Sequence, residues 1–310
     1  MTTGPVLVTG GAGFLGAALV RRLVAERYDV HVIVRPTTGL ARIADLLDVV
    51  TLYRADLAAA VDVAAVVGPL EPVTVFHTAA TGAYAKVGDT ALFRDNVLSI
   101  FNLLRATAPL AGCRVIHTAS SLEPGPCAVA VRESDPAAPA VPYAASKASA
   151  TLVALQAGAC GRRVVALRPF AIYGPGEPVQ RLIPTTIRAA ITSTPLRLTE
   201  ARCTRDLVFV DDVVDAYLAA SRVDGIDGEL INIATGRPIT NEETVRTIER
   251  LTGRAIAIAE ERYPARATDR PFWCADVSKA ERLLGWRVKH TLERGLARTI
   301  DAYVDAHADR

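Results

Sequence analysis

The chain has 310 residues, 35 Lys+Arg against 33 Asp+Glu, a formal net charge of +2 and 50% apolar residues. That apolar share provides for a large core and excludes a disordered chain. The near balance of charge removes the basic face that a dedicated nucleic-acid binder needs.

The length suits one large domain or two coupled ones. No apolar run approaches the ~18 residues of a membrane span. Residues 1–9 lack the basic start and long apolar stretch of a secretory leader. Cys113, Cys127, Cys160, Cys203 and Cys274 are scattered and odd in number. Neither a disulfide framework nor a zinc site is expected, and the reducing cytoplasm is the expected compartment.

In chain order, residues 5–9 read as a buried strand and 13–26 as a helix. Strands follow over 30–34, 49–54 and 73–77, then a long helix over 91–106. A fifth strand over 114–118, an Ala-rich helix over 143–159 and a sixth strand over 163–167 complete the first half. Continuous apolar strands separated by helices imply an α/β fold, a doubly wound parallel sheet (Rossmann-like) covered on both faces. After Pro169 the pattern changes to helices near 180–192, 211–222, 241–252, 278–284 and 292–307, with Pro/Gly-rich joints and a few short strands. This predicts a smaller, mostly C-terminal region packed on the carboxyl edge of the sheet. No internal repeat or low-complexity tract is present.

Thr9-Gly10-Gly11-Ala12-Gly13-Phe14-Leu15-Gly16 stands between the first strand and the first helix. Gly10 can take the tight turn, Gly13 lets a pyrophosphate approach the backbone, and Gly16 lets the helix sit close to the sheet. The opening turn, with Phe14 and Leu15, offers free N–H groups and a positive dipole end to phosphates. The strand–turn–helix context makes this a dinucleotide site. Where a carboxylate after strand two would select NAD through a ribose hydroxyl, this chain has Arg35, with Arg42 beyond it. A guanidinium pairs with a 2′-phosphate, so NADP(H) is the favoured cofactor and NAD(H) the alternative. The expected division is a dinucleotide-binding domain over 1–168, with returning segments near 204–235. A mainly substrate-binding region takes 169–203 and 236–310.

Tyr143 and Lys147 are four apart in a helical stretch and so share one face. A nearby ammonium lowers the proton affinity of a phenol, which can then exchange a proton with a carbonyl or carbinol at neutral pH. Strand five ends in Thr118-Ala119-Ser120-Ser121, at the carboxyl edge where such sheets bind ligands. A hydroxyl there can polarise the same carbonyl. His77 and His117 lie in apolar strands without partners at metal-ligand spacing and read as core residues, so no metal is expected. Trp273 and Trp286 read as packing residues.

Taken together, Thr9–Gly16, the Ser120 region and Tyr143/Lys147 resemble the extended short-chain dehydrogenase/reductases, in particular their nucleotide-sugar epimerase/dehydratase/reductase group. Further segments fit this resemblance. Ala55-Asp56-Leu57 resembles the adenine contact after strand three, and Phe76–Ala80, with Ala79 and Ala80, the turn over the cofactor. Asn96 to Leu104 resembles the long fourth helix, and Arg168-Pro169-Phe170 through Gly176 the segment leaving strand six. The stretches 204–213, 232–236 and 275–286 are similarly placed. The resemblance implies that Ser120 orients the carbonyl, Tyr143 is the acid/base and Lys147 binds the nicotinamide ribose. It implies that Ser121, Arg205 and Arg266 face the substrate, the two arginines its diphosphate. It also implies a homodimer through the helices near 91–106 and 143–159.

Departures from the group narrow the reaction. The Asp-Glu pair of its dehydratases corresponds to Ser121 and Leu122, with Glu123 one position off. The Cys and His of its 3,5-epimerases correspond to Leu122 and Gly176. Ala171 replaces a common Asn, and Glu123-Pro124-Gly125 replaces the usual Val-Tyr-Gly. The expected activity is therefore NADPH-dependent reduction of a nucleotide-activated 4-keto-6-deoxyhexose, with the proton from Tyr143. The alternatives are an NAD-dependent nucleotide-sugar 4-epimerase, a ketoreductase for a non-sugar carbonyl, and a non-catalytic dinucleotide-binding regulator.

Overall fold

A computed structural model describes residues 4–82, 87–199, 202–264, 267, 269 and 272–308. The chain opens with β1 (Val6–Thr9), α1 (Phe14–Ala25), β2 (Val30–Val34), a short 3₁₀ stretch (Ala41–Leu46) and β3 (Thr51–Arg54). Then come α2 (Ala60–Leu70), β4 (Thr74–His77), α3 (Asp89–Ala106), β5 (Arg114–Thr118), α4 (Pro142–Ala159), β6 (Val164–Pro169) and β7 (Ala171–Tyr173). The remainder is α5 (Leu182–Thr192), β8 (Thr204–Phe209), α6 (Val210–Arg222), β9 (Leu230–Ile233), β10 (Pro238–Thr240), α7 (Asn241–Thr252), α8 (Ser278–Leu284) and α9 (Leu292–Ala308).

Seven strands form one sheet in the order β3-β2-β1-β4-β5-β6-β9, and every pairing in it is parallel. The strands are short, apolar and largely buried, as strands covered by helices on both faces must be. One face packs α1 and α6 into a core with Leu19, Leu23, Val213 and Tyr217. The other packs α2, α3 and α4 around Val67, Leu103 and Ala154. The doubly wound parallel sheet expected from the sequence is what the chain forms.

One element is not announced by the apolar pattern. Residues 60–70 (AVDVAAVVGPL) are apolar nearly throughout, rich in valine and closed by Pro69, so no amphipathic stripe marks them. They nonetheless form α2, buried through Val63, Val66 and Val67. A second sheet, β10-β8-β7, lies in the later half with α5, α7 and α9 around a third core. β9 leaves that half of the sequence and joins the large sheet beside β6. Sheet order reverses direction between β1 and β4, which opens a crevice at the carboxyl ends of those strands.

Candidate active site

A cleft of about 520 Å³ occupies that crevice. Gly10, Gly13, Arg35, Asp56, Leu57, Ala79 and Ala80 all line it, together with Thr38, Arg42, Thr81, Asp95 and Ser99. The glycine turn has the form a pyrophosphate cradle needs. Gly10 sits at φ +71°, and a Cβ on it would lie 2.7 Å from the main chain of Ala79. A Cβ on Gly16 would lie 2.2 Å from the Gly10 carbonyl oxygen, so only glycine lets α1 start this close to the sheet. Gly13 faces the cleft, and its Cβ would meet only the Gly10 carbonyl, at 3.1 Å. The residues present thus fit a dinucleotide laid across the turn.

Phe14 and Leu15 turn their side chains away from the cleft and into the core of the smaller sheet. What they offer a phosphate is their main-chain N–H, since a helix leaves its first N–H groups without internal partners. The turn is fixed from below. Thr78 Oγ1 donates to the Thr9 carbonyl at 2.7 Å, and Thr9 Oγ1 pairs with His77 Nδ1 at 2.8 Å.

At the ribose end, Arg35 is more than half exposed and reaches Asp95 at 3.3 Å and Thr81 at 3.4 Å. Asp56 is tied to Arg94 and to the Ala58 N–H. Despite burial, which raises it, these contacts hold its carboxyl below the usual range. Thr81, Asp95 and Ser99 were not singled out by sequence. Asp95 and Ser99 stand four apart on α3, and that spacing is the signal that puts them on one face toward the cleft.

Ser120, Tyr143 and Lys147 come together at the end of β5. Tyr143 lies in the first turn of α4, half-buried, with the Ser120 side chain close enough to lower its phenol. Lys147 is buried, and its Nζ donates to the Thr118 carbonyl at 2.6 Å. The Thr118 hydroxyl donates in turn to His77 O, directly before Thr78 of the cleft. Burial lowers the Lys147 ammonium to about 8, with Glu123 opposing the shift.

The phenol departs from expectation. Burial raises Tyr143 above its ordinary value; Ser120 pulls it back, the Glu123 charge pushes it up, and Arg181 lowers it. The lowering by Lys147 expected from their spacing is not what this arrangement gives, because the ammonium is turned to Thr118 O. The site therefore stores a protonated phenol.

Asn96 joins the two halves of the site. Its side-chain oxygen accepts Thr81 N–H at 2.8 Å, while its amide donates to Thr81 O and to Ser146 Oγ on α4. His77 and His117 stack with ring centroids 5.5 Å apart beneath the site. Burial holds His77 at about 3, with Lys147 adding to the effect, so it stays neutral. Among the described residues no cluster of metal-binding side chains occurs.

Ser121 is buried beside Ser120, and Pro169 ends β6. The Arg205 guanidinium donates to Thr204 O and to Asp269 at 3.0 Å, and lies 5.1 Å above the Trp273 ring. Trp273 is thus both buried and stacked. Arg266 lies outside the described residues.

A family model described as the NAD dependent epimerase/dehydratase family matches residues 6–234. The chain is 31% identical to a UDP-glucose 4-epimerase of Mycolicibacterium smegmatis, over 96% of this chain and 97% of that protein. It is 30% identical to a dTDP-6-deoxy-L-talose 4-dehydrogenase (NAD(P)(+)) of Kitasatospora kifunensis, over 94% and 93%. The crystal structure of a Thermus thermophilus UDP-glucose 4-epimerase in complex with NAD superposes with a TM-score of 0.87, at 27% identity over 97% of this chain and 99% of that one. A glycine turn lining a cleft at the switch point of the sheet, a Ser/Tyr/Lys set at the end of β5 and these likenesses lead to one assignment: the chain belongs to the NAD dependent epimerase/dehydratase family and is an NAD(P)-dependent enzyme of the extended short-chain dehydrogenase type.

Proposed function

We propose that the chain reduces the keto group of a nucleotide-activated 4-keto-6-deoxyhexose, with NADPH as reductant. The observation that carries this reading is the geometry around Ser120, where Tyr143 stands close and the neighbouring carboxylate, Glu123, is committed to the Ser120 N–H, Thr151 and Arg168 rather than to elimination. Glu123, the acidic residue nearest the position of the dehydratase pair, spends Oε1 on Ser120 N–H and Thr151 and turns Oε2 to Arg168.

When bound, the nicotinamide dinucleotide supplies the hydride. Ser120 donates a hydrogen bond to the carbonyl oxygen and draws negative charge onto it. Tyr143 passes its proton to that oxygen as it becomes an alkoxide. Lys147, held on Thr118 O, keeps positive charge under the site and supports the phenolate left behind. Gly10, Gly13 and the N–H groups of Phe14 and Leu15 would hold the pyrophosphate, and Arg35 with Arg42 would bind the 2′-phosphate.

The Kitasatospora relative, named as a 4-dehydrogenase using NAD(P), supports redox at this sugar carbon. The mycobacterial relative supports a second reading, an NAD-dependent 4-epimerase built on the same three residues. Purified protein given NADPH and a series of 4-keto nucleotide sugars is expected to consume nicotinamide absorbance. Tightly held NAD released on denaturation, with no net consumption, would replace the reductase by the epimerase. We also propose a cytoplasmic homodimer through α3 and α4, whose outer faces leave Phe93, Leu98, Phe101 and Leu152 exposed.

A further inference from the structure

Glu123 is a buried charged side chain beside Ser120 that the proposed mechanism does not use. Its side chain is 1% exposed, and its neighbours come from three separate elements. Oε1 accepts the Ser120 N–H at 2.7 Å and the Thr151 hydroxyl of α4 at 2.9 Å. Oε2 lies 3.6 Å from Arg168 on β6, itself 4% exposed. An apolar side chain would fill this place without the cost of desolvating a carboxylate. The related enzymes, by the resemblance noted above, carry a valine there.

We propose that Glu123 is a positioning residue that locks Ser120 against the Tyr143 phenol from beneath. Thr151 stands eight residues after Tyr143 on α4, a little over two helical turns along the same helix. Glu123 therefore ties the loop carrying Ser120 to the helix carrying Tyr143. Ser120 cannot move from Tyr143 without breaking its bond to Glu123 or drawing Glu123 off Thr151 and Arg168. The same carboxylate raises the phenol, while Arg181 lowers it. Burial raises Glu123 while Arg168 and Lys147 oppose that shift, and Glu133 and Asp135 also act on Arg168. His117, at 3.5 Å from Thr151, stays neutral through burial. Glu123 thereby fixes where the proton donor meets its partner hydroxyl and adds to the burial that raises the phenol.

The inference rests on Tyr143 as proton donor, so its test includes a readout independent of turnover. Tyrosinate difference absorbance is titrated in wild type and in Glu123→Gln, each against its own Tyr143→Phe version, with NADPH affinity measured alongside. Glutamine keeps an oxygen for Ser120 N–H and loses the charge. The expected result is unchanged NADPH affinity and a Tyr143 midpoint lower than that of wild type. Glu123→Val combined with Arg168→Leu removes the tie without stranding a buried charge. That double variant is expected to bind NADPH and to lose about 10²-fold in kcat with little change in KM. Glu123→Gln is expected to restore kcat to within a few fold. Coincident Tyr143 midpoints, or a folded double variant that turns over like wild type, would overturn the proposal. A wild type that binds NADPH but reduces no sugar, with the midpoint shift present, removes the substrate reading and leaves the Glu123–Tyr143 coupling standing.

Discussion

At Tyr143 three neighbours act on one oxygen: Ser120, Glu123 and Arg181. If this phenol is the proton donor, Tyr143→Phe should lower turnover by about 10²–10⁴. The stabilisation of the fold by added NADPH should persist, since the glycine turn is untouched. Thermal melts with and without NADPH, beside steady-state rates, check both halves. His77 gives a second prediction, on pH. Its folded value of about 3 lies below the ordinary 6.5. Above pH 6.5 both folded and unfolded chains hold it neutral and its contribution is intact. Below that pH the unfolded chain takes up a proton that the folded chain refuses, so stability falls by about 1.4 kcal/mol per pH unit. His117 acts in the same direction. His77→Gln should flatten the loss between about pH 6 and 5, as read from urea midpoints. That Ser120, Tyr143 and Lys147 gather at the end of β5 was legible from the helical spacing, the strand end and the family resemblance together. The state of the phenol was not, since it depends on where Lys147 Nζ points and on a buried Glu123, neither of which spacing encodes.

The first βα unit shows how far local pattern carries at the level of elements. A strand, three glycines at three-residue steps and an amphipathic helix define β1, the turn and α1, and the structure puts them where the pattern does. The pattern fails at α2, where apolar residues on all sides hide the helical period. Gly16 is the position on which the unit turns. In Gly16→Ala the new methyl meets the Gly10 carbonyl and Thr78 Oγ1, at 2.2 and 2.8 Å. The helix must retreat, at a cost of about 1–3 kcal/mol, and the cradle opens with it. Calorimetric titration with NADPH should show affinity falling more than tenfold, while the far-ultraviolet spectrum of the protein stays that of wild type. Unchanged affinity would mean that the turn does not hold the phosphates. The joints between elements were less legible. Asn96 links the β4 turn to α4 through Thr81 and Ser146, contacts set by tertiary packing that no local period reveals.

Across the whole molecule, the large sheet is not assembled in the order of synthesis. β6 is paired on one side by β5 and on the other by β9, which is made only after β7, α5, β8 and α6. A nascent chain that has just delivered β6 to the growing sheet carries one raw row of main-chain donors and acceptors on a flat apolar strand. Such a row recruits any similar strand nearby. A fragment ending at residue 168 should therefore collect in the insoluble fraction, whereas one ending at residue 235, which includes α6 and β9, should leave more protein in the supernatant after centrifugation. Equal solubility of the two would show that the bare margin is harmless. The late strand works as a hem, sewn on only once the second half of the chain has left the ribosome.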